Sequence, residues 1–402
     1  MMTSRLNSFL SQYIYFPLLE ILVAFQKLLL FLSYIFFFFC RLVCQPKPLK
    51  YVVGVTEIAS YLHSLSGSLA HSYSVCLYPN RFYDCKYDFA LAFRSKYFAA
   101  FVRYFIGPII LGKLVHHADV FIYLWKHRFL ISSLDEGEFE FSFLKFFRKK
   151  LVLVFLGSDI RSPVITSQMA RLRGDEVEAD YYFLARPSAL AQGYEASLMR
   201  RCRTSEKYAD FIFSSSVDQA SYFTRPTMPF VYFYPDACFS RNSSKYVGQY
   251  RSRIVHAPSS PLTKGTPLVR AAIARLRIEG YQFEYIELMG ASNKAVLQEL
   301  SSAHIVLNEF YAHLPGVFGV EAMASYCALM TSADETIETD LPAGSNCAWF
   351  VTKSYQVYDH LKILLDSPCL QVAYASAGYE WATAYAAQSI SGARFSSILD
   401  PA

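Results

Sequence analysis

From Leu49 to the C-terminus, short runs of β-branched and aromatic residues alternate with amphipathic stretches, and this alternation limits the fold of the 402-residue chain more than any other feature. Strand, amphipathic crossover and strand repeated many times build a parallel sheet with helices on both faces. Strands are expected at 51–55, 73–77, 120–124, 151–155, 211–214 and 230–233, with a first helix over 57–70. Residues 234–252, with Pro235, Asn242, Ser243, Ser244 and Gly248, are polar and turn-rich and read as a linker. A second set of strands follows at 254–257, 283–289, 305–307, 328–331 and 348–351. The expected fold class is α/β, with two doubly wound, Rossmann-like domains (49–233 and 253–378) facing across a cleft. Residues 379–402 are expected to form a helix packing back toward the first domain. Ligands of such sheets sit at the carboxyl ends of the strands.

Composition narrows the function. With 53% apolar and 18% charged residues the chain is not disordered, and an excess of five positive charges is too small to announce a nucleic-acid partner. Nine cysteines without a C-x-x-C pair suit a reducing compartment. Dinucleotide, P-loop, G-x-S-x-G and H-E-x-x-H signatures are missing, and no two aspartates stand two apart. No metal site and no cofactor are therefore expected. His116 and His117 are adjacent and do not share a helix face, as ordinary surface or hinge histidines would be.

Residues 1–48 are a separate hydrophobic segment. Within it Glu20, Lys27, Tyr34 and Arg41 recur every seven residues, a stripe that drifts by about 20° per repeat on a helix. The charge-free run 28–40 is shorter than the roughly 20 residues of a span. A helix lying in a membrane surface and a tilted span with a snorkelling Arg41 both fit, as does a buried helix of the fold. Arg41, Lys47 and Lys50 follow the segment while Arg5 precedes it, which places the domains on the cytoplasmic side. Residues 97–114, with Phe98, Phe101, Val102 and Phe105, read either as a core helix or as a second membrane-facing surface.

Two motifs in the second half carry chemistry. After the strand ending at Ala257, a loop bears Lys264 and Gly265, and Thr266 with Pro267 opens a helix. Free amides, the helix dipole and an ammonium converge there, as a diphosphate requires. After the strand ending at Leu307, Gly316 and Gly319 precede Glu321, whose carboxylate can accept bonds from two vicinal hydroxyls.

Lys264-Gly265-Thr266 and Phe318-Gly319-Val320-Glu321-Ala322-Met323-Ala324 resemble the phosphate and glutamate motifs of GT-B-fold glycosyltransferases, especially the retaining glycosyltransferase family 4. The resemblance implies a nucleotide-sugar donor, retention of anomeric configuration and no metal. It assigns the diphosphate to Lys264, the ribose to Glu321 and the nucleobase edge to Met289, Gly290 and Ala291, with Gly265, Thr266, Gly316, Phe318 and Gly319 also on the donor. His313 stands eight before Glu321, where the family has a glutamate, and is grouped with Lys264 and Glu321 as catalytic; Pro258 and Ser259 stand near the family's arginine, and Leu156 where a histidine is frequent. Gly157-Ser158-Asp159-Ile160-Arg161 resembles an acceptor-side segment, and Gly54 falls where the family has its first glycine-containing loop. Glu57 and Asp159 are read as acceptor contacts or, equally, as solvated or capping carboxylates, and Arg161 as facing an anionic acceptor or pairing with Asp159. The expected function is a membrane-associated glycosyltransferase acting on a lipid-linked or other glycan acceptor. The alternative is a catalytically silent scaffold of a glycan-assembly complex.

Overall fold

The computed structural model describes residues 16–43, 49–93, 95–248 and 251–400. An initial helix, α1 (Phe16–Val43), precedes a six-stranded sheet of β1 (Tyr51–Thr56), β2 (Ser72–Tyr78), β3 (Phe89–Ala90), β4 (Val120–Leu124), β5 (Lys150–Val154) and β6 (Phe211–Phe213). All pairings are parallel, in the order β3-β2-β1-β4-β5-β6. Its crossovers include α2 (Tyr61–Gly67), α3 (Lys96–Leu114), α4 (Glu138–Phe146), α5 (Pro163–Leu172), α6 (Glu176–Ala185) and α7 (Tyr194–Tyr208). A second parallel sheet, ordered β11-β10-β9-β7-β8, contains β7 (Arg253–His256), β8 (Glu284–Glu287), β9 (Ile305–Leu307), β10 (Ala328–Thr331) and β11 (Phe350–Val351). It is wrapped by α8 (Thr266–Ile278), α9 (Asn293–Leu300), α10 (Gly316–Ala324), α11 (Val357–Asp366) and α12 (Pro368–Tyr385), and α13 (Gln388–Leu399) ends the chain. The strand order reverses between β1 and β4 in one sheet and between β7 and β9 in the other, and crevices open at such points.

Two expectations need correction. Residues 230–233 form no strand; isolated bridges flank them, Met228 to Phe213 and Tyr234 to Ala387. Its two-residue alternation serves another purpose, since Val231 and Phe233 enter the core of the first domain while Tyr232 and Tyr234 enter that of the second. The first helix starts at Tyr61 rather than 57, because Ala59 and Ser60 take left-handed φ values of 54° and 59° in the turn before it.

The chain crosses between domains twice, and the crossings are bonded side by side: the Tyr234 amide donates to the Ala386 carbonyl and the Gln388 amide to the Tyr234 carbonyl, both at 2.8 Å. Helix α13 then lies on the first domain. Phe395 packs on Phe213 and Phe233, the Gln388 amide side chain reaches the Ser64 carbonyl at 2.9 Å, and a Cβ on Gly392 would stand 2.6 Å from that of Ser68. Tyr51 donates to Asp400, which also pairs with Lys50 at 2.6 Å.

Helix α1 lies along α3. Gln26 is buried, donating to the Tyr104 carbonyl (2.7 Å) and accepting from the Ile131 amide (2.9 Å), and Leu30 and Ser33 are buried beside it. A Cβ on Gly112 would come within 2.9 Å of the Tyr34 nitrogen, so the two backbones touch there. Removing residues 1–46 would therefore uncover α3 rather than simply release a soluble domain.

Phe395→Ala removes a fully buried ring that ties the last helix to β6. Chemical denaturation should show a loss of about 3–5 kcal/mol, with the transition of the first domain, not the second, carrying it.

Candidate functional site

A cleft of about 470 Å³ opens between the carboxyl ends of the two sheets, within the size range of small-molecule sites. Lys264 and Glu321 both line it. Lys264 sits in the turn before α8, where Gly265 takes φ 75° and packs so tightly that a Cβ would meet Phe310 at 3.3 Å. The Lys264 ammonium is 2.5 Å from Glu309, a buried carboxylate just beyond β9. Glu321 projects from α10 and accepts from the Asn293 side chain at 2.6 Å. Burial pushes its pKa up to about 7, opposed by that hydrogen bond. The start of α10 brings Val317 and Phe318 to the same wall, whereas the free amides expected at the start of α8 are spent: Thr266 donates to the Pro261 carbonyl at 2.9 Å, Leu268 to the Gly265 carbonyl at 3.0 Å, and Pro267 has no N–H.

The other donor-side residues divide. Gly290 (φ 66°), Ala291, Gly316 (φ 63°) and Phe318 line the cleft, and no atom lies within 4 Å of a Cβ built on Gly290. Met289 is half exposed and is not part of the lining. Thr266 is buried against His256 (2.9 Å), whose pKa burial drives down to about 4. Gly319 is a packing glycine, since a Cβ would stand 2.9 Å from Pro315 and 3.0 Å from Asn308. His313 is buried just behind the lining of the cleft: its ring bonds Glu178 (2.8 Å), which does line it, and Arg173 (3.2 Å), and its amide donates to Asp218 (2.9 Å). Burial raises the Glu178 pKa, but the His313 hydrogen bond and the Arg173 charge outweigh it and leave the carboxyl below its ordinary value. The carboxylate beside Lys264 is thus Glu309, four residues earlier.

On the first-domain side Ser158 and Arg161 line the cleft. Arg161 pairs with Asp218, not with Asp159. Asp159 is fully buried, and its carboxylate accepts from the Leu156 amide at 3.1 and 3.2 Å, closing the turn after β5; burial raises its pKa to about 6. Glu57 is also buried, accepting from Tyr87 (2.8 Å) and the His63 amide (3.2 Å), with its pKa raised by burial. Gly54 lies within β1, paired with Val75 and Tyr123, not in a loop. The strand continues through Gly54 because both its neighbours supply ladder partners.

Sequence reasoning missed the loops that close the cleft. Tyr83 follows β2, and the Asn293 amide donates to the Phe82 carbonyl across the domains at 2.9 Å. Tyr181 on α6 stacks on Tyr311, centroids 3.5 Å apart, and donates to the Leu262 carbonyl in the Lys264 loop. Trp125, at the end of β4, lines the cleft with φ 66°. At the rim, Glu338 accepts from the amides of Ser216, Val217 and Asp218 at 3.2, 2.9 and 2.7 Å. None of these belongs to a periodic segment; the positive φ at Trp125, a non-glycine residue, is invisible in the sequence. Among the described residues no group of three or more His, Cys, Asp or Glu is placed to hold a metal ion.

No protein-family model and no curated protein matches the chain. Solved structures do. WaaG, a glycosyltransferase involved in lipopolysaccharide biosynthesis, superimposes with a TM-score of 0.51 at 12% identity, over 88% of this chain and 100% of its own. A sucrose-phosphate synthase from Thermosynechococcus elongatus reaches 0.56, also at 12% identity, over 88% of this chain and 98% of its own. The fold is therefore of the GT-B type, two Rossmann-like domains with a ligand cleft between them.

The folded-state pKa of Glu321, about 7, lies above its ordinary value of 4.5. The native state then holds the proton more tightly, so this group's stabilisation is present at low pH and is lost as pH rises toward 7. Glu321→Gln should flatten the slope of stability against pH between about 4.5 and 7 in urea titrations; an unchanged slope would show that Glu321 ionises normally.

Proposed function

We propose that this protein is a glycosyltransferase that takes a sugar from a nucleotide-sugar donor, with retention and without a metal ion, and passes it to a glycan acceptor held at the cytoplasmic side of a membrane. The observation that carries this reading is the pairing of Lys264 and Glu321 on one wall of the inter-domain cleft, at the carboxyl ends of a single sheet. The GT-B fold supports it, and both neighbours above are sugar-transferring or sugar-phosphate-forming enzymes by name.

In this reading the donor diphosphate displaces Glu309 from the Lys264 ammonium. Negative charge that develops on the leaving diphosphate is met by Lys264 and by the amides at the start of α10, already oriented before reaction. Glu321 accepts from the two ribose hydroxyls, with Asn293 fixing its carboxylate. Gly290 and Ala291 border the nucleobase, and Tyr83 and Phe82 close over it from the first domain. Glu309, once released, accepts from hydroxyls of the donor sugar. Ser158, Arg161 and Trp125 face the acceptor. The leaving diphosphate itself takes the acceptor proton, so no side chain has to serve as general base.

Lys264→Ala and Glu321→Ala should each weaken nucleoside-diphosphate binding by about 1.5 to 3 kcal/mol in titration calorimetry, with the fold intact. Unchanged affinity in both would overturn the site. Chelator should leave turnover of the nucleotide sugar nearly intact, whereas an absolute requirement for manganese or magnesium would refute metal-free transfer. Tight nucleotide binding with no donor turnover would point to the silent scaffold instead.

A further inference from the structure

We infer that α1 and α3 form one platform that lies half-immersed in a single leaflet of an anionic bilayer and does not cross it. The evidence is an inversion of the usual pattern of a surface helix, whose apolar stripe faces the protein and whose polar face meets water. Along the middle of α1 the polar groups face inward, while Glu20 and Arg41 near its ends are exposed. Besides Gln26 and Ser33, the Lys27 ammonium lies over the Phe139 ring at 4.4 Å, and Tyr34 stacks on His116 and Phe147 at 4.3 and 4.4 Å. The outer face is hydrocarbon: Ile21, Phe31, Phe36, Phe39 and Leu42 are 56–70% exposed. Helix α3 extends it with Tyr97, Phe98 and Phe101.

Spanning is opposed by the same contacts. They run from the Leu22 carbonyl, bonded by Tyr104, to Phe38 beside His116, about 24 Å of helix at 1.5 Å per residue. A span is surrounded by lipid or by other membrane-embedded protein over about 20 residues. Standing α1 across a bilayer would strip Leu30 from the core and carry Gln26, Lys27 and Tyr34 into hydrocarbon without partners, a severe penalty.

Charge identifies the occupant as lipid. Within the two helices Glu20 is the one acid, against Lys27, Arg41, Lys96, Arg103 and Lys113. Arg41 and Lys149 stand near both His116 and His117, and Lys113 near His117; burial is the main cause of the depressed imidazole pKa values, and these charges, with that of His116 on His117, add to it. An apolar centre with a basic rim complements acyl chains below anionic headgroups. A second copy of this chain would oppose one basic rim with another. The inference does not depend on the glycosyl-transfer reading, because leaflet binding and nucleotide binding are measured separately.

Full-length protein should float with sealed vesicles of phosphatidylcholine and phosphatidylglycerol, less so as phosphatidylglycerol is withdrawn or salt is raised. Tags fused at the two termini should both be cut by protease added outside the vesicles. Ile21→Asp with Phe36→Asp, both outward, should keep the circular-dichroism spectrum and nucleotide affinity while the vesicle-bound fraction falls at least tenfold. A fluorophore on Phe39→Cys, quenched by brominated acyl chains, reads the same face without an added charge. A protected N-terminal tag with a cut C-terminal tag would establish a span. Vesicle binding unchanged by the double variant and no quenching at position 39, or a lipid-free dimer that the double variant dissolves, would overturn the inference.

Discussion

A carboxylate buried between two domains has to be met by donors, and here the donors come from both sides. Asp218 holds Arg161 of its own domain and the His313 amide of the other, while Glu338 reaches from the second domain into three successive amides of the first. Burial raises the Asp218 pKa, yet the Arg161 charge, with the His313 hydrogen bond, more than offsets it and keeps the group ionised. Removing either partner would strand a buried charge, so the seam resists opening. The separation of Lys264 and Glu321 from Ser158, Arg161 and Trp125 follows from it.

Much of the architecture was legible because burial on both faces of a parallel sheet writes itself as apolar runs. The runs at 120–124 and 328–331 correspond to β4 and β10 with every residue buried. The exception is instructive: residues 230–233 alternate as a strand does because neighbouring side chains belong to different cores, a cause that periodicity cannot separate from a sheet. Lys264 was readable because it precedes a glycine at a helix start, and Glu321 because two glycines come shortly before it, although α10 begins at Gly316 and so carries Glu321 in its second turn rather than its first. Glu309, Asn293 and Tyr83 were not, since their roles arise from strand order and from a loop that touches the other domain. Asp159 and Glu57 show the converse: acids beside glycine or at a strand end, yet both are buried and occupied by backbone amides, where they hold turns.

The same logic governs the first helix. A seven-residue recurrence of Glu20, Lys27, Tyr34 and Arg41 marks a seam in any environment, but its direction is set by the neighbours. Tyr34 and Lys27 find aromatic partners on α4 and in the residues flanking it, so the middle of the seam turns inward, Glu20 and Arg41 at its ends stay exposed, and most of the leucines and phenylalanines turn out. Hydropathy alone scores this helix and α3 as candidate spans; packing distinguishes a surface from a crossing.

Helix α13 covers β6 and pins Lys50 and Tyr51 through Asp400, so the first domain is completed by residues that lie beyond the second. The second sheet is in effect an insertion within the first domain, and the contact of Tyr51 with Asp400 closes a loop of 349 positions. Contacts so far apart in sequence carry a loop-closure cost that falls once the intervening chain is compact. The second domain, built on contacts within itself, thus acts as a splint that brings the two pieces of the first within reach of each other.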